Sequence, residues 1–363
     1  MRKSTFGVLC LLTALLAGCA QGHVVIQDTF GKRVADGWTT PLDALGIDGT
    51  PASLSEHHNY RVRQVSSYDR TGGEQDDRYA QDKFDGGLVL ADIVGPGAVL
   101  RIWTRNPWGT LMIFVDDMEH PLLTVPFRDL FAGDLELFSP GFNLFSPPFT
   151  GEGNGGYFCY VPIPFEERCR ILVMGDEDVL AYQVTYAEFP PGAPIRSFEL
   201  SLGHDDVEYF RRWRDHWSDY SVKKHDLKTE RLQQSSRVLA PQNNQQILRL
   251  TGPGTITEVE MSIDSVDPDF LRKTWLAIYF DGQTSPGVLA PVGDLFGRTS
   301  TSGSSFESVA TGNADGRMYL RYPMPFQSSA VARIINTSDQ AADFTYSFIW
   351  REGPVDDTNY FFA

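Results

Sequence analysis

The residues best suited to chemistry concentrate in one short stretch. RQVSSYDRTGGEQDD, Arg63 to Asp77, holds four carboxylates (Asp69, Glu74, Asp76 and Asp77), a central arginine, a tyrosine and a Gly72-Gly73 pair. Two carboxyl groups held about 5–5.5 Å apart can cleave a glycosidic bond with retention: one attacks the anomeric carbon and the other protonates the leaving oxygen. The acid needs a raised pKa, which burial or a like-charged neighbour supplies. A turn at Gly72-Gly73 would fold these acids together. Asp69, Asp77 and Glu74 are therefore the candidate catalytic carboxylates. Tyr68, Arg70 and Asp76 are the candidate substrate contacts, by stacking, by holding a carboxylate ionised and by binding sugar hydroxyls. Two plainer readings stand beside this one. Acids in a glycine-containing loop are commonly just solvated, or they supply oxygen ligands to calcium. The spacing here does not follow the EF-hand pattern, so no metal and no cofactor are expected.

Other carboxylates rank lower. Glu307 lies in a Gly/Ser-rich segment, TSTSGSSFESVATGNADG, that reads as a rim loop, and loops carry function more often than scaffold strands do. Glu258 and Glu260 alternate along a strand and share one face, toward a cleft or toward solvent. Asp129 and Asp294 sit in the matching strings RDLF and GDLF, which favours a structural task. No Gly-x-Ser-x-Gly elbow, nucleotide loop or Cys/His zinc spacing is present.

The scaffold that must position these groups is duplicated. GPGAVLRIWT from Gly95 returns as GPGTITEVEM from Gly252. LMIFVDDMEHPLLTVPFRDLFAG from Leu111 returns as LAIYFDGQTSPGVLAPVGDLFGR from Leu276. GGYFCYVPIPFEERCRILV from Gly155 returns as DGRMYLRYPMPFQSSAVARII from Asp315. The order is kept at an offset of about 160 residues, as expected for two copies of one supersecondary plan. Each copy reads as short strands, rich in β-branched and aromatic residues and bounded by Gly, Pro and Asp. Pro162, Pro164, Pro323 and Pro325 mark edges or strand-to-loop transitions. The expected fold is all-β: a double jelly roll, two tandem β-sandwich or barrel units joined by an α-helix. The expected bounds are 60–200 for the first unit, 201–244 for a helical linker and 245–363 for the second unit with its tail. In the linker Tyr209, Phe210, Trp213, Trp217 and Tyr220 share one helical face, read as core more readily than as a sugar platform. Asp205 and Asp206 are placed to cap its start.

The 363 residues carry 31 basic and 47 acidic side chains, a formal charge of −16, which disfavours nucleic acid as a partner. The first residues, MRKSTFGVLCLLTALLAGCAQG, read as a signal segment over 1–18 ending at Leu16-Ala17-Gly18-Cys19, a bacterial lipobox. Residues 19–59 then form a lipid tether and N-terminal segment. The plainer reading is an ordinary signal peptide with a chance cysteine. No later segment is long and apolar enough to span a bilayer. The expected place is the bacterial envelope, lipid-anchored, at the outer membrane, facing the periplasm or the surface. Cys159 and Cys169 remain, as a disulfide or as two inert buried thiols.

YRVRQVSSYDRTGGEQDD, LADIVGPGAVLRIWT, VDDMEHPLLTVPFRDLFAG and YVPIPFEERCRI together resemble the family long called domain of unknown function 2961, which includes glycoside hydrolase family 172. The likeness runs with gaps from about Tyr60 to about Trp350. It implies a double jelly-roll subunit assembling into trimers or multiples of them. It also implies a retaining, metal-independent furanosidase that acts through two glutamates on fructofuranosides or arabinofuranosides. One departure matters: where the family's second barrel supplies a catalytic glutamate, this chain has APVGDLFG, Ala290 to Gly297, with Gly293 at the glutamate's place. Two functions follow, an envelope hydrolase acting on furanose-containing glycans, or a non-catalytic glycan-binding or structural surface lipoprotein. The anchor is directly testable: a fatty-acid probe should label the wild type and leave Cys19→Ala unlabelled, and equal labelling would overturn lipidation at that residue.

Overall fold

Period-two alternation of apolar residues governs this chain, and antiparallel sheets follow from it. The computed structural model describes residues 58–76, 83–84, 86–133, 135, 142–153, 155–175, 180–218, 228–298, 305–314, 316–355 and 361–363. Cys19, Asp77 and Tyr220 lie outside them. The described chain divides into two units, one running from His58 to Arg211 and one from Arg212 to the end.

In the first unit the strands are β1 (Arg61–Ser66), β2 (Lys83–Phe84), β3 (Gly87–Val94), β4 (Gly97–Thr104), β5 (Thr110–Val115), β6 (Leu123–Pro126), β7 (Thr150–Gly153), β8 (Gly156–Cys159), β9 (Ile163–Phe165), β10 (Arg168–Met174) and β11 (Tyr182–Glu188). One sheet runs β1-β11-β4-β8-β7, with β9 also on β4, and the other runs β2-β3-β10-β5-β6. In the second unit they are β12 (Arg231–Leu239), β13 (Asn243–Thr251), β14 (Gly254–Asp264), β15 (Thr274–Phe280), β16 (Val288–Pro291), β17 (Phe306–Glu307), β18 (Thr311–Ala314), β19 (Arg317–Leu320), β20 (Met324–Phe326), β21 (Ser329–Asn336) and β22 (Ala342–Glu352). Its sheets run β12-β22-β14-β19-β18-β17, with β20 on β14, and β13-β21-β15-β16.

The two orders are the same. β1-β11-β4-β8 corresponds to β12-β22-β14-β19, and β3-β10-β5-β6 corresponds to β13-β21-β15-β16. Each unit interleaves early and late strands in both of its sheets, which is the jelly-roll connection. The sheets are open-ended paths, so each unit is a sandwich and not a closed barrel. Inward residues of the first unit (Leu90, Ile102, Leu111, Ile113, Ile171, Val184) and of the second (Ile256, Val259, Leu276, Ile278, Ile334, Phe348) are all essentially buried. Pro164 and Pro325 sit in the three-residue strands β9 and β20, where the neighbour of β4 or β14 resumes after a break.

The repeat is carried down to single side chains. Asp116 and Asp281 both take the left-handed conformation, with φ of 58 and 54 degrees, at the end of β5 and β15. Asp116 accepts bonds from the backbone N–H groups of Glu166, Glu167 and Arg168, and from the Ser197 hydroxyl. Asp281 does the same for Gln327, Ser328 and Ser329. Each aspartate thus ties one sheet's β5-type strand to the turn that enters its neighbour. Burial would raise Asp116, but the Ser197 and backbone bonds outweigh it and hold the carboxyl below the usual range.

Helix α1 (Asp129–Ala132) and helix α4 (Val292–Leu295) are matching single turns that contain Asp129 and Asp294, and neither makes a side-chain cap bond. Helix α2 (His204–Ser218) begins where Asp206 reaches back to the Gly203 N–H at 3.2 Å. Tyr209, Phe210 and Trp213 are buried, and Phe210 packs on Phe142 and Phe149, the core role. Helix α3 (Phe270–Lys273) is a further single turn. Within the stretch 201–244, expected as a helical linker, the described residues form α2 over His204–Ser218, then β12 and the start of β13, which pair with strands of the second sandwich. β12 escapes a pattern search because it is an edge strand whose part-buried positions Gln233 and Ser235 are polar, so RLQQSSRVL shows little apolar alternation. Cys159 and Cys169 are free buried thiols on opposite sheets, with burial pushing Cys159 up to about 12 and Cys169 up as well. No described helix is long and apolar enough to cross a membrane.

Asp116→Ala should cost about 1–2 kcal/mol, allowing for solvent screening, and lower the Tm by several degrees. Asp116→Asn, which keeps a tolerated left-handed residue and an acceptor, should cost less. Equal melting of wild type and Asp116→Ala would overturn the tethering role.

Candidate functional site

The loop after β1 is built by the strand it leaves. Ser66 closes β1 opposite Gln183 of β11. Ser67 prolongs the pairing: its N–H donates to the Tyr182 carbonyl at 3.1 Å, and its hydroxyl accepts the Tyr182 N–H at 2.9 Å. Then Asp69 folds under. It is 6% exposed, and its carboxylate accepts from the Thr71 N–H at 2.9 Å, the Thr71 hydroxyl at 2.6 Å and the Gln75 N–H at 3.3 Å. The Asp69 N–H donates to Asp76 Oδ1 at 2.8 Å. Gly72 supplies a φ of 77 degrees, and a Cβ at Gly73 would stand 2.5 Å from Asp69 Oδ2, so both glycines are required by the turn. Arg70 donates to the carbonyls of Tyr68 and Ser66 and lies 4.4 Å over the Tyr68 ring, which fixes that ring while leaving it 57% exposed.

Facing this loop is the end of β4. Thr104 Oγ1 donates to the Ala181 carbonyl at 2.9 Å, the Arg105 N–H donates to the same carbonyl at 3.0 Å, and the Ala181 N–H donates to Asn106 Oδ1 at 3.3 Å. Trp103 points to the outer face beside Gln183. Its indole lies on Gly156, where an added Cβ would be 2.7 Å from Cε2. Between loop and strand end is a cleft of about 500 Å³, with Tyr68, Glu74, Asp76, Trp103, Arg105 and Asn106 among its walls. Aromatic faces, carboxylates, a guanidinium and an amide in a concave site of this size suit a small polar ligand with both hydroxyls and C–H faces.

A second charged group lies on β14. Glu258, 1% exposed by side chain, pairs at 3.0 Å with Arg321, itself 4% exposed, whose guanidinium lies 4.1 Å over the Tyr319 ring. Glu260 neighbours it, with Arg317 at 3.1 Å and the Ser347 hydroxyl at 3.4 Å. Burial first, then a hydrogen bond and repulsion from Glu258, push the Glu260 carboxyl above its usual range against the pull of the two arginines.

Two family models match the chain: the GH172 first beta-sandwich domain over residues 58–206 and the GH172 domain-like model over 229–347. This chain belongs to the GH172-like family. No curated protein matches it. Among solved structures, the major capsid protein P2 of bacteriophage PM2 aligns at 9% identity over 82% of this chain and 100% of its own, with a TM-score of 0.23. The VP2 subviral particle of infectious bursal disease virus aligns at 10% identity over 85% of this chain and 77% of its own, with a TM-score of 0.22.

The GH172-like chain distributes its candidate residues unevenly. Tyr68, Glu74 and Asp76 stand in the cleft. Asp69 is buried beneath the loop, its carboxylate taken up by Thr71 and Gln75, and it is not among the residues that line the cleft. Arg70 backs Tyr68. Asp77 is outside the described residues. Glu307 is exposed on β17, in the second unit, paired to β18 and not on an open rim loop. Trp103, Arg105 and Asn106 were not singled out from sequence. The available signal was Trp103, an aromatic on the outward phase of VLRIWT. Gly293 is buried in α4, and a side chain there would run into the Arg298 carbonyl oxygen and stand 3.1 Å from Leu271 Cβ. The backbone at this position leaves no room for a side chain. Among the described residues, no group of three or more His, Cys, Asp or Glu is arranged to hold a metal.

The Glu260 carboxyl gives a pH signature. Below its unfolded value of 4.5 it is protonated in both states, and no penalty arises. As pH rises through its higher folded value, ionisation beside Glu258 destabilises the fold. The Tm gain of Glu260→Gln over wild type should therefore be negligible near pH 4 and largest near pH 8; the lost Arg317 pair, half-exposed, offsets little. A gain that does not grow with pH would overturn the shared-charge description.

Proposed function

We propose that this GH172-like chain is an envelope lipoprotein of glycoside hydrolase type, anchored through Cys19 and assembled in multiples of three, that takes furanose-containing glycans into the first-sandwich cleft. The observation that carries this reading is the cleft itself, where Tyr68 and Trp103 offer faces for sugar C–H groups beside the hydroxyl-binding groups Glu74, Asp76, Arg105 and Asn106. We assign the retaining pair to Glu74 and Asp76, two positions apart on the cleft wall, where retention requires the two carboxyl groups to stand about 5–5.5 Å apart. Asp76, its rotamer fixed by the Asp69 N–H, is the nucleophile. Glu74 is the acid that protonates the leaving oxygen and then the base that activates water.

A second reading is binding without turnover. It is favoured by Gly293, whose surroundings leave no room for a glutamate, and by Glu258, which is committed to Arg321.

One experiment separates them. The soluble chain is assayed against aryl α- and β-furanosides of fructose and arabinose, with binding measured in parallel. Aryl alcohol release, lowered about 10²–10⁴-fold in Glu74→Gln and Asp76→Asn with the melting of Glu74→Gln unchanged, is the expected result. Binding that is weakened in Trp103→Ala, with no release, supports the second reading. Neither binding nor release in the wild type overturns both.

A further inference from the structure

The cleft does not end at Trp103. On β8, Phe158 stands directly opposite Trp103 in the β4–β8 ladder, so the two side chains share the outer face. Tyr160 follows on the same phase, its ring 5.4 Å from that of Phe158. Each of the two strand rings rests on a glycine. Gly156 lies under Trp103, and Gly151 lies under Phe158, where an added Cβ would be 3.0 Å from Cζ. Arg101, two residues before Trp103, is within 5.9 Å of the Trp103 ring centre and 6.0 Å of that of Tyr160, and it donates to Gln183 Oε1 at 2.8 Å. Trp103 and Gln183 are at once part of this surface and part of the cleft wall. All three rings are partly exposed.

The second sandwich serves as an internal control. Trp103 opposite Phe158 corresponds to Glu260 opposite Tyr319, Arg101 corresponds to Glu258, and Tyr160 corresponds to Arg321. The glycine under the ring is kept, Gly151 matching Gly312. The same strand pairing therefore tolerates two glutamates and an arginine where the first sandwich has Trp103, Arg101 and Tyr160. Sheet packing keeps a ring at the Phe158 position in both copies, as Tyr319 in the second, but does not demand one at the Trp103 and Tyr160 positions, and what distinguishes the first copy is that its strip continues a polar cleft.

We propose that Trp103, Phe158 and Tyr160 form a stacking platform that extends the cleft, so that the ligand is a linear glycan spanning several sugars and not a single residue. This rests on the glycan reading of the cleft. Furanose rings present C–H faces to the aromatic rings, and Arg101 and Gln183 between them meet hydroxyls at the edge. Chain length, not the terminal sugar alone, then sets affinity.

The test titrates the full chain with methyl arabinofuranoside and with a linear arabinofuranosyl tetrasaccharide. The wild type should bind the tetrasaccharide more tightly. Phe158→Ala should lose about tenfold for the tetrasaccharide and nothing for the methyl furanoside, while Phe158→Tyr retains both. Tyr160→Ala is read the same way if Phe158→Ala melts early. Tetrasaccharide affinity that is unchanged in both alanine variants overturns the platform and leaves the cleft reading intact. The same holds if the wild type does not distinguish the two ligands. A fall in assembly mass by light scattering without loss of tetrasaccharide affinity assigns the rings to a contact between copies, and overturns it too. Failure of the wild type to bind either sugar overturns the cleft reading and the platform with it.

Discussion

The pairing of β4 with β11 on one side and with β8 and β9 on the other is the constraint from which the site follows. Once that register is set, every second residue of β4 is committed to the core, as Ile102 is, and the alternate ones are committed outward, as Arg101 and Trp103 are. A slip of one residue would exchange the two sets. The same ladder brings Gly156 under the indole and delivers Arg105 and Asn106 to the wall of the cleft. Core and site are two faces of one hydrogen-bond pattern.

Duplication shows which features that pattern requires. Both sandwiches keep the left-handed aspartate that tethers the turn before the β10-type strand, the one-turn helix, the broken proline-containing strand and the glycine beneath an aromatic ring. These are requirements of the jelly roll. The outer faces diverge in charge and in chemistry. In the second copy a buried Glu258–Arg321 pair occupies the surface that carries Arg101 and Tyr160 in the first. Such a pair adds little net stability because desolvation offsets attraction, but removing either partner alone would leave a buried charge uncompensated.

The acidic loop illustrates how position decides between chemistry and structure. Asp69 and Glu74 have the same functional group and lie five residues apart. Asp69 is drawn inward, where donors from Thr71 and Gln75 use its oxygens, whereas Glu74 remains on the cleft wall. Composition alone treats the acids of this loop as equals. Only the turn at Gly72, which places N–H groups around one carboxylate and not the other, sorts them.

Much of the architecture was legible in the amino-acid order. The GPG, DLF and P-x-P-F strings recur in one sequence of events, and because strand alternation and turn chemistry are local, they announce two copies of one β unit and a family resemblance. The stripe from Tyr209 to Trp213 likewise announces a buried helical face, since its period is local too. Non-local facts were not available. β12 hides because an edge strand with polar residues at its part-buried positions, Gln233 and Ser235, carries little apolar alternation. The free state of Cys159 and Cys169 depends on which sheet each strand joins. Trp103 becomes a site residue only because β8 supplies a glycine beneath it and the loop after β1 folds across from it, and no spacing along the chain encodes that meeting. Sequence by itself determined the repeat, the strand period and the acidic loop, whereas the tertiary structure alone decided which carboxylates face a ligand, since that choice rests on pairings between segments about 50 to 130 residues apart.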